Sequence, residues 1–308
     1  MDRLPTKPTA WASVVLLALN GCGEPHFNEG MTLGGVEVSA EVLNQGYEAY
    51  THYCRACHGA EGDGKGPASY GLRPPPRDFT EATFKFAAVE AGELPNDDDF
   101  YRIIKNGLHG TAMLPWDVPE EDLQAIIQYI KTFSDDWQDY EPGDPIVTPE
   151  DPWQGRLAEA TERGDKLYHG FAQCFNCHPA YATQQEIYAA NLELRDTEVV
   201  TFRPDLYGPV LTDTNYGYRA LPPDFLQSPV RSGDTPADFF RVIASGVGGT
   251  AMPTWYQIVE DDDIWAMAHF VRSLVDLSDD AAAVHGFRDR MANQAELQIP
   301  EQDPNAAG

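Results

Sequence analysis

The chain has 308 residues, 42% of them apolar, which is enough for two cores of ordinary size and more than one small domain needs. Its 49 acidic and 21 basic residues give a formal charge of -28, a balance that excludes nucleic acid as a partner. No apolar run reaches the roughly 18 to 20 residues of a membrane-spanning helix, so the body of the protein is expected to be soluble.

In chain order, Arg3 and Lys7 precede the apolar stretch Ala10 to Leu19, which runs into Leu19-Asn20-Gly21-Cys22. This pattern predicts a signal peptide over 1–21. A small residue before a cysteine at this place resembles the lipobox of bacterial lipoproteins, and the resemblance implies a lipid on Cys22 and a body on the periplasmic side of a bacterial membrane. Asn20 departs from the small or hydroxyl residue usual there; an uncleaved anchor or an ordinary signal peptide is the alternative. Removing 1–21 takes Asp2, Arg3 and Lys7 from the 49 acidic and 21 basic residues, leaving 48 against 19 and a balance of 29 negative charges. Such an excess suits docking to a basic redox protein, or simple solubility.

A polar tether follows over 22–37. A first domain is expected over 38–139, opening with a helix from Ser39, as N-cap, to His58. Pro142, Pro145, Pro149 and Pro152 among acidic residues mark an extended linker over 140–156. A second domain is expected over 157–278. The tail, 279–308, holds a short helix over Ala281 to Leu297, and its last ten residues are expected to be disordered.

The five cysteines divide into Cys22 alone and the pairs Cys54/Cys57 and Cys174/Cys177, each C-x-x-C followed at once by histidine, His58 or His178. Positions i, i+3 and i+4 share one helix face, so two thiols and an imidazole can meet one porphyrin edge and its iron. This is the attachment sequence for c-type haem, and it predicts two covalently bound haems with His58 and His178 as iron ligands. The competing readings are a zinc site and a redox dithiol. Zinc ribbons set their pairs about 15 to 20 residues apart, whereas 116 residues separate Cys57 from Cys174. The alternating strand and helix pattern around a thioredoxin-like dithiol is missing from the sequence.

The two halves repeat. Asp99-Phe100-Tyr101-Arg102 and Gly110-Thr111-Ala112-Met113 in the first correspond to Asp238-Phe239-Phe240-Arg241 and Gly249-Thr250-Ala251-Met252 in the second. Trp116 and Trp255 follow, then apolar-periodic helices over Glu120 to Phe133 and Asp261 to Leu274. A lone methionine is ordinarily core filling. The recurrence makes Met113 and Met252 the second axial ligands, soft thioethers that raise the reduction potential. His109, four residues before Met113, is the nearest rival, but its counterpart is Gly248, which cannot ligate. His52, His169 and His269 are expected on helix surfaces or packed flanks. His58 to Met113 spans 55 positions and His178 to Met252 spans 74; the extra material is placed in a loop from Pro179 to about Tyr207.

At these residues the chain resembles the class I cytochrome c family, and more narrowly the bacterial dihaem cytochromes c, over about Ser39 to Ser134 and Leu157 to Leu277. The resemblance implies an all-α fold of two tandem domains joined by the Pro-rich linker. It implies a glycine and an aromatic on each first helix packing on the last, Gly46 and Tyr50 on Tyr129, and Gly164 and Tyr168 on Phe270. Two extra residues between Tyr168 and Cys174 put the second crossing in question. Pro67 and Pro209 are the implied carbonyl acceptors for the proximal histidines, and Trp116 and Trp255 would line the haem edge or simply pack. Arg77 could pair with a haem propionate, a contact that Pro223-Asp224-Phe225 lacks. The expected role is electron relay without a small-molecule substrate, as a tethered carrier or as the haem subunit of a larger oxidoreductase. A dihaem peroxidase is the alternative.

Overall fold

The computed structural model describes residues 25–299, so Cys22, the segment before it and residues 300–308 lie outside the described residues. The fold is all-α with one small two-stranded sheet. Strands β1 (Met31–Leu33) and β2 (Val36–Val38) pair antiparallel with Met31 opposite Val38. They turn through Gly34 and Gly35, both with positive φ, and dock when Gly34 N donates to Trp137 O. The tether expected over 22–37 is therefore partly folded.

Helix α1 (Ala40–Tyr53) starts where expected, because the Ser39 hydroxyl accepts from Val42 N at 3.3 Å. It stops at Cys54, and a separate turn, α2 (Arg55–His58), carries the histidine. Helices α3 (Asp97–Asn106), α4 (Glu120–Lys131) and the short α5 (Asp136–Asp139) complete the first half. The second half repeats the plan with α6 (Leu157–Lys166), a π-helical turn Leu167–Phe171, a 3-10 turn Cys174–Asn176, then α7 (Gln184–Arg195), α8 (Pro236–Ser245), α9 (Asp261–Ser278) and α10 (Ala281–Ala292). Each half has its own core.

The first and last helices of each half cross at glycine. A Cβ on Gly46 would lie 2.2 Å from Ala125 O, and one on Gly164 only 2.0 Å from Ala266 O, so the backbones touch where no side chain fits. Tyr50 packs on Tyr129 with ring centroids 5.2 Å apart, and Tyr168 on Phe270 at 5.4 Å. The two extra residues before Cys174 do not disturb that crossing. They are taken up between Leu167 and Cys174, where the π-helical turn Leu167–Phe171 is followed by Gln173 in the left-handed conformation.

Two expectations need correction. The segment after His178 is not merely a loop: it contains α7, opened by a capping box between Thr183 and Glu186. Gly170 allows close approach to Ala190 O, and the buried Asn191 amide donates to His169 O at 2.8 Å. Helix α10 also ends at Ala292, short of Leu297. The linker is extended as expected, yet it is docked rather than free. Ile146 is buried with its N donating to Ala88 O, while the Trp153 indole donates to Asp262 O at 2.8 Å.

Candidate haem sites

In both halves the backbone N–H groups of the second cysteine and the histidine donate to the carbonyl of the first cysteine. The distances are 3.1 and 3.0 Å to Cys54 O, and 3.1 and 2.9 Å to Cys174 O. The C-x-x-C-H segment is thus wound into the same tight turn twice. The tyrosine above it is tied in the same way: Tyr50 Oη donates to Gly59 O at 2.9 Å and Tyr168 Oη to Pro179 O at 2.9 Å.

The two imidazoles are oriented alike. His58 Nδ1 lies 3.1 Å from Arg77 O and His178 Nδ1 lies 3.1 Å from Pro223 O. A carbonyl can only accept, so Nδ1 carries the proton and Nε2 is left as the basic nitrogen. His58 stacks on Phe79 at 4.5 Å and His178 on Phe225 at 5.1 Å. Burial pushes the pKa of His58 down and that of His178 to about 4, keeping both rings in the neutral form that can ligate a metal.

The expected acceptors, Pro67 and Pro209, are not the ones used. Gly66 N donates to Cys57 O, and a Cβ on Gly66 would meet Ala56 O at 2.4 Å, so the Gly-Pro pair covers the back of the cysteine turn rather than the histidine ring. The true correspondence is Pro76-Arg77-Asp78-Phe79 with Pro222-Pro223-Asp224-Phe225. The repeated Pro-x-Asp-Phe was a usable signal.

The methionine loops are also superimposable in their bonding. Thr111 Oγ1 donates to Leu108 O at 2.8 Å and accepts from Met113 N at 3.1 Å; Thr250 Oγ1 donates to Val247 O at 2.7 Å and accepts from Met252 N at 3.2 Å. The threonine of Gly-Thr-Ala-Met is therefore the brace that presents the methionine. In the first half, Cys54, Cys57, His58 and Met113 all line one chamber with Trp116 and a wall of Phe79, Phe84, Phe100 and Ile104. Trp255 packs against the second core.

The donor set fits haem c and does not fit the competing sites. Burial pushes the thiols of Cys54 and Cys174 up to about 12, the reverse of the lowered pKa of a reactive dithiol. No group of three or more His, Cys, Asp or Glu able to hold a metal ion occurs among the described residues. Two thiols, one neutral imidazole and one thioether around an apolar chamber match a covalently attached porphyrin.

Residues 41–130 and again 159–271 match the model of the family described as cytochrome c oxidase, cbb3-type, subunit III. The chain belongs to that family. It is a tandem class I cytochrome c, a protein of covalently bound haem c and haem-based electron transfer. It is also similar to a solved chain of the Kuenenia stuttgartiensis reducing HAO-like protein complex Kustc0457/Kustc0458, at 29% identity and a TM-score of 0.59, over 75% of this chain and 96% of that one. No curated protein matches the cytochrome by sequence.

The remaining histidines play other parts. His52 and His109 are exposed. His169 is buried on a packed flank, with Nδ1 2.7 Å from Asp165 and Nε2 accepting from Tyr181 N at 2.9 Å. His269 is buried beside Asp151, 2.9 Å away. The repeated Asp-Phe-x-Arg has a function that its spacing alone does not reveal. Asp99 accepts from Asn96 N and pairs with Arg102 at 2.7 Å, while Arg102 donates to Phe86 O. Asp238 accepts from Thr235 N and pairs with Arg241 at 2.7 Å, while Arg241 donates to Ser232 O. The motif ties each α3-type helix to the segment before it.

Proposed function

We propose that the cytochrome holds two haems, one through Cys54, Cys57, His58 and Met113 and one through Cys174, Cys177, His178 and Met252, and relays electrons without turning over a substrate. The observation that carries this is the identical bonding of the two methionine loops, together with the equal orientation of the two imidazoles. Bound haem supplies a reversible one-electron centre. The residues supply its setting: carbonyl-bound imidazoles with raised basicity, braced thioethers that favour the reduced state, and, in the first half, aromatic walls that keep water out.

With His58 and Met113 holding one iron and His178 and Met252 the other, peroxide would find no vacant site, so the carrier reading is preferred over the peroxidase. On the periplasmic side of a bacterial membrane, a lipid on Cys22 would tether the protein. Similarity to a chain of a reducing HAO-like protein complex supports redox proteins as partners, whether docked permanently or in passing. The acidic surface suits a basic docking face.

The deciding experiment is intact mass and a visible spectrum of the purified holoprotein. Two haems per chain and a ferric methionine-to-iron charge-transfer band are expected. One haem, none, or the absence of that band overturns the assignment. Rapid peroxide turnover after reduction of a single haem would instead establish the peroxidase. Cys22→Ser should release the cytochrome from membranes or stall its processing, and retention through an uncleaved segment would refute the lipid anchor.

A further inference from the structure

The chamber of the first haem site is not closed by its own domain. Tyr218 and Arg231 of the second half line it beside Arg77 and Lys85 of the first. The halves meet there through a pair of equivalent bonds: His109 N donates to Arg231 O at 3.0 Å and Gly248 N to Lys85 O at 3.2 Å. His109 and Gly248 are counterparts in the two methionine loops. Lys85 and Arg231 are counterparts too, each preceding the carbonyl, Phe86 O or Ser232 O, held by the arginine of its own Asp-Phe-x-Arg motif.

Three cations therefore gather at one edge of an apolar chamber. Arg77 lies over the Tyr216 ring, 3.8 Å from its centroid, and Lys85 Nζ lies 4.8 Å from the same centroid and 3.3 Å from Tyr218 Oη. In a chain with 49 acidic residues, none of the three cations forms an ion pair with a described residue. Burial, with Arg77 and Arg231 nearby, pushes the Lys85 ammonium down to about 8. Arg77 and Lys85 are half-buried and Arg231 is exposed beside them, so like charges repel across the rim, and an anion entering there would relieve that repulsion. A haem bound by Cys54 and Cys57 brings two carboxylates on one edge.

We infer that Arg77 and Lys85 of the first domain and Arg231 of the second form one cross-domain clasp for the carboxylates of the first haem, so that this site is complete only with the second domain docked. The inference rests on the two-haem reading above. Oxidation adds a positive charge to the haem, and cations at its carboxylates oppose that addition and hold its potential up. The counterpart of Arg77 is Pro223, so the second haem has no equivalent of that guanidinium.

The test is a spectroelectrochemical titration of the full-length holoprotein, with the first haem's midpoint identified as the one displaced in Met113→His. Arg231→Gln and Lys85→Gln, one from each domain, should each lower the first midpoint more than the second, and Arg231→Lys should restore most of the loss. A residue that only packs the interface would not move a midpoint. If either variant fails to fold, the other decides. Two haems with an unmoved first midpoint, or one that moves less than the second, overturns the clasp and leaves the two-haem reading standing. A purified protein without haem overturns that reading instead.

Discussion

The two halves of this cytochrome use one chemical plan in two different surroundings. Both wind C-x-x-C-H around the first cysteine's carbonyl, both orient the imidazole through a backbone carbonyl, and both brace the methionine with a threonine. They differ in what surrounds the site. The second half inserts α7, and Tyr181 from the same insertion is tied to Asp224 and Phe225 N beside the histidine. The first half instead borrows Tyr218 and Arg231 from its neighbour. The ligand geometry is thus held by local bonds that repeat, while the shell is free to be built from an insertion or from another domain.

The comparison is broken most severely by removing attachment. Cys54→Ala/Cys57→Ala and Cys174→Ala/Cys177→Ala should each lose one haem, read by intact mass. The first pair should also loosen the contact between domains, read as a larger radius of gyration in X-ray scattering, because the cations there lose their anion. The second pair should not.

Next in size are the glycine crossings. Gly46→Ala and Gly164→Ala force a methyl into a carbonyl oxygen, and each should cost about 3 kcal/mol or more, read by denaturant unfolding. Similar losses are expected because the approach distances are nearly equal. A neutral result in either half would mean that its helices can slide apart.

A smaller and unequal effect is expected at the Asp-Phe-x-Arg latch. Asp99 is 2% exposed and accepts from Ala88 N as well as from Asn96 and Arg102, whereas Asp238 is less buried. Asp99→Asn should therefore cost roughly 2 to 3 kcal/mol and Asp238→Asn about 1 to 2 kcal/mol, from the same unfolding measurement. Equal costs would show that burial does not set the difference. Tyr50→Phe and Tyr168→Phe should each cost about 1 kcal/mol by leaving Gly59 O or Pro179 O without its donor. The smallest effect is on partner exchange. With 29 net negative charges from Cys22 on, the rate of electron exchange with a basic cytochrome should fall as ionic strength rises. A flat response in stopped-flow measurements would favour permanent docking.

Features that depend on short range are written in the chain. The cysteine turns, the Ser39 cap and the two-fold repeat were legible because helical spacing and a second copy make each signal explicit, whereas the glycine and aromatic crossings and the all-α tandem plan followed from the resemblance to class I cytochromes c. Which distant carbonyl or cation arrives at each site is set by the packing of the fold. Arg77 O and Pro223 O, not Pro67 and Pro209, orient the histidines, because a backbone carbonyl carries no side-chain signature and its partner is set by how the loop returns. The same holds for Arg231, 173 residues after His58 in the chain. It lines the chamber of the first half only because two methionine loops, each fixed locally, pack against each other.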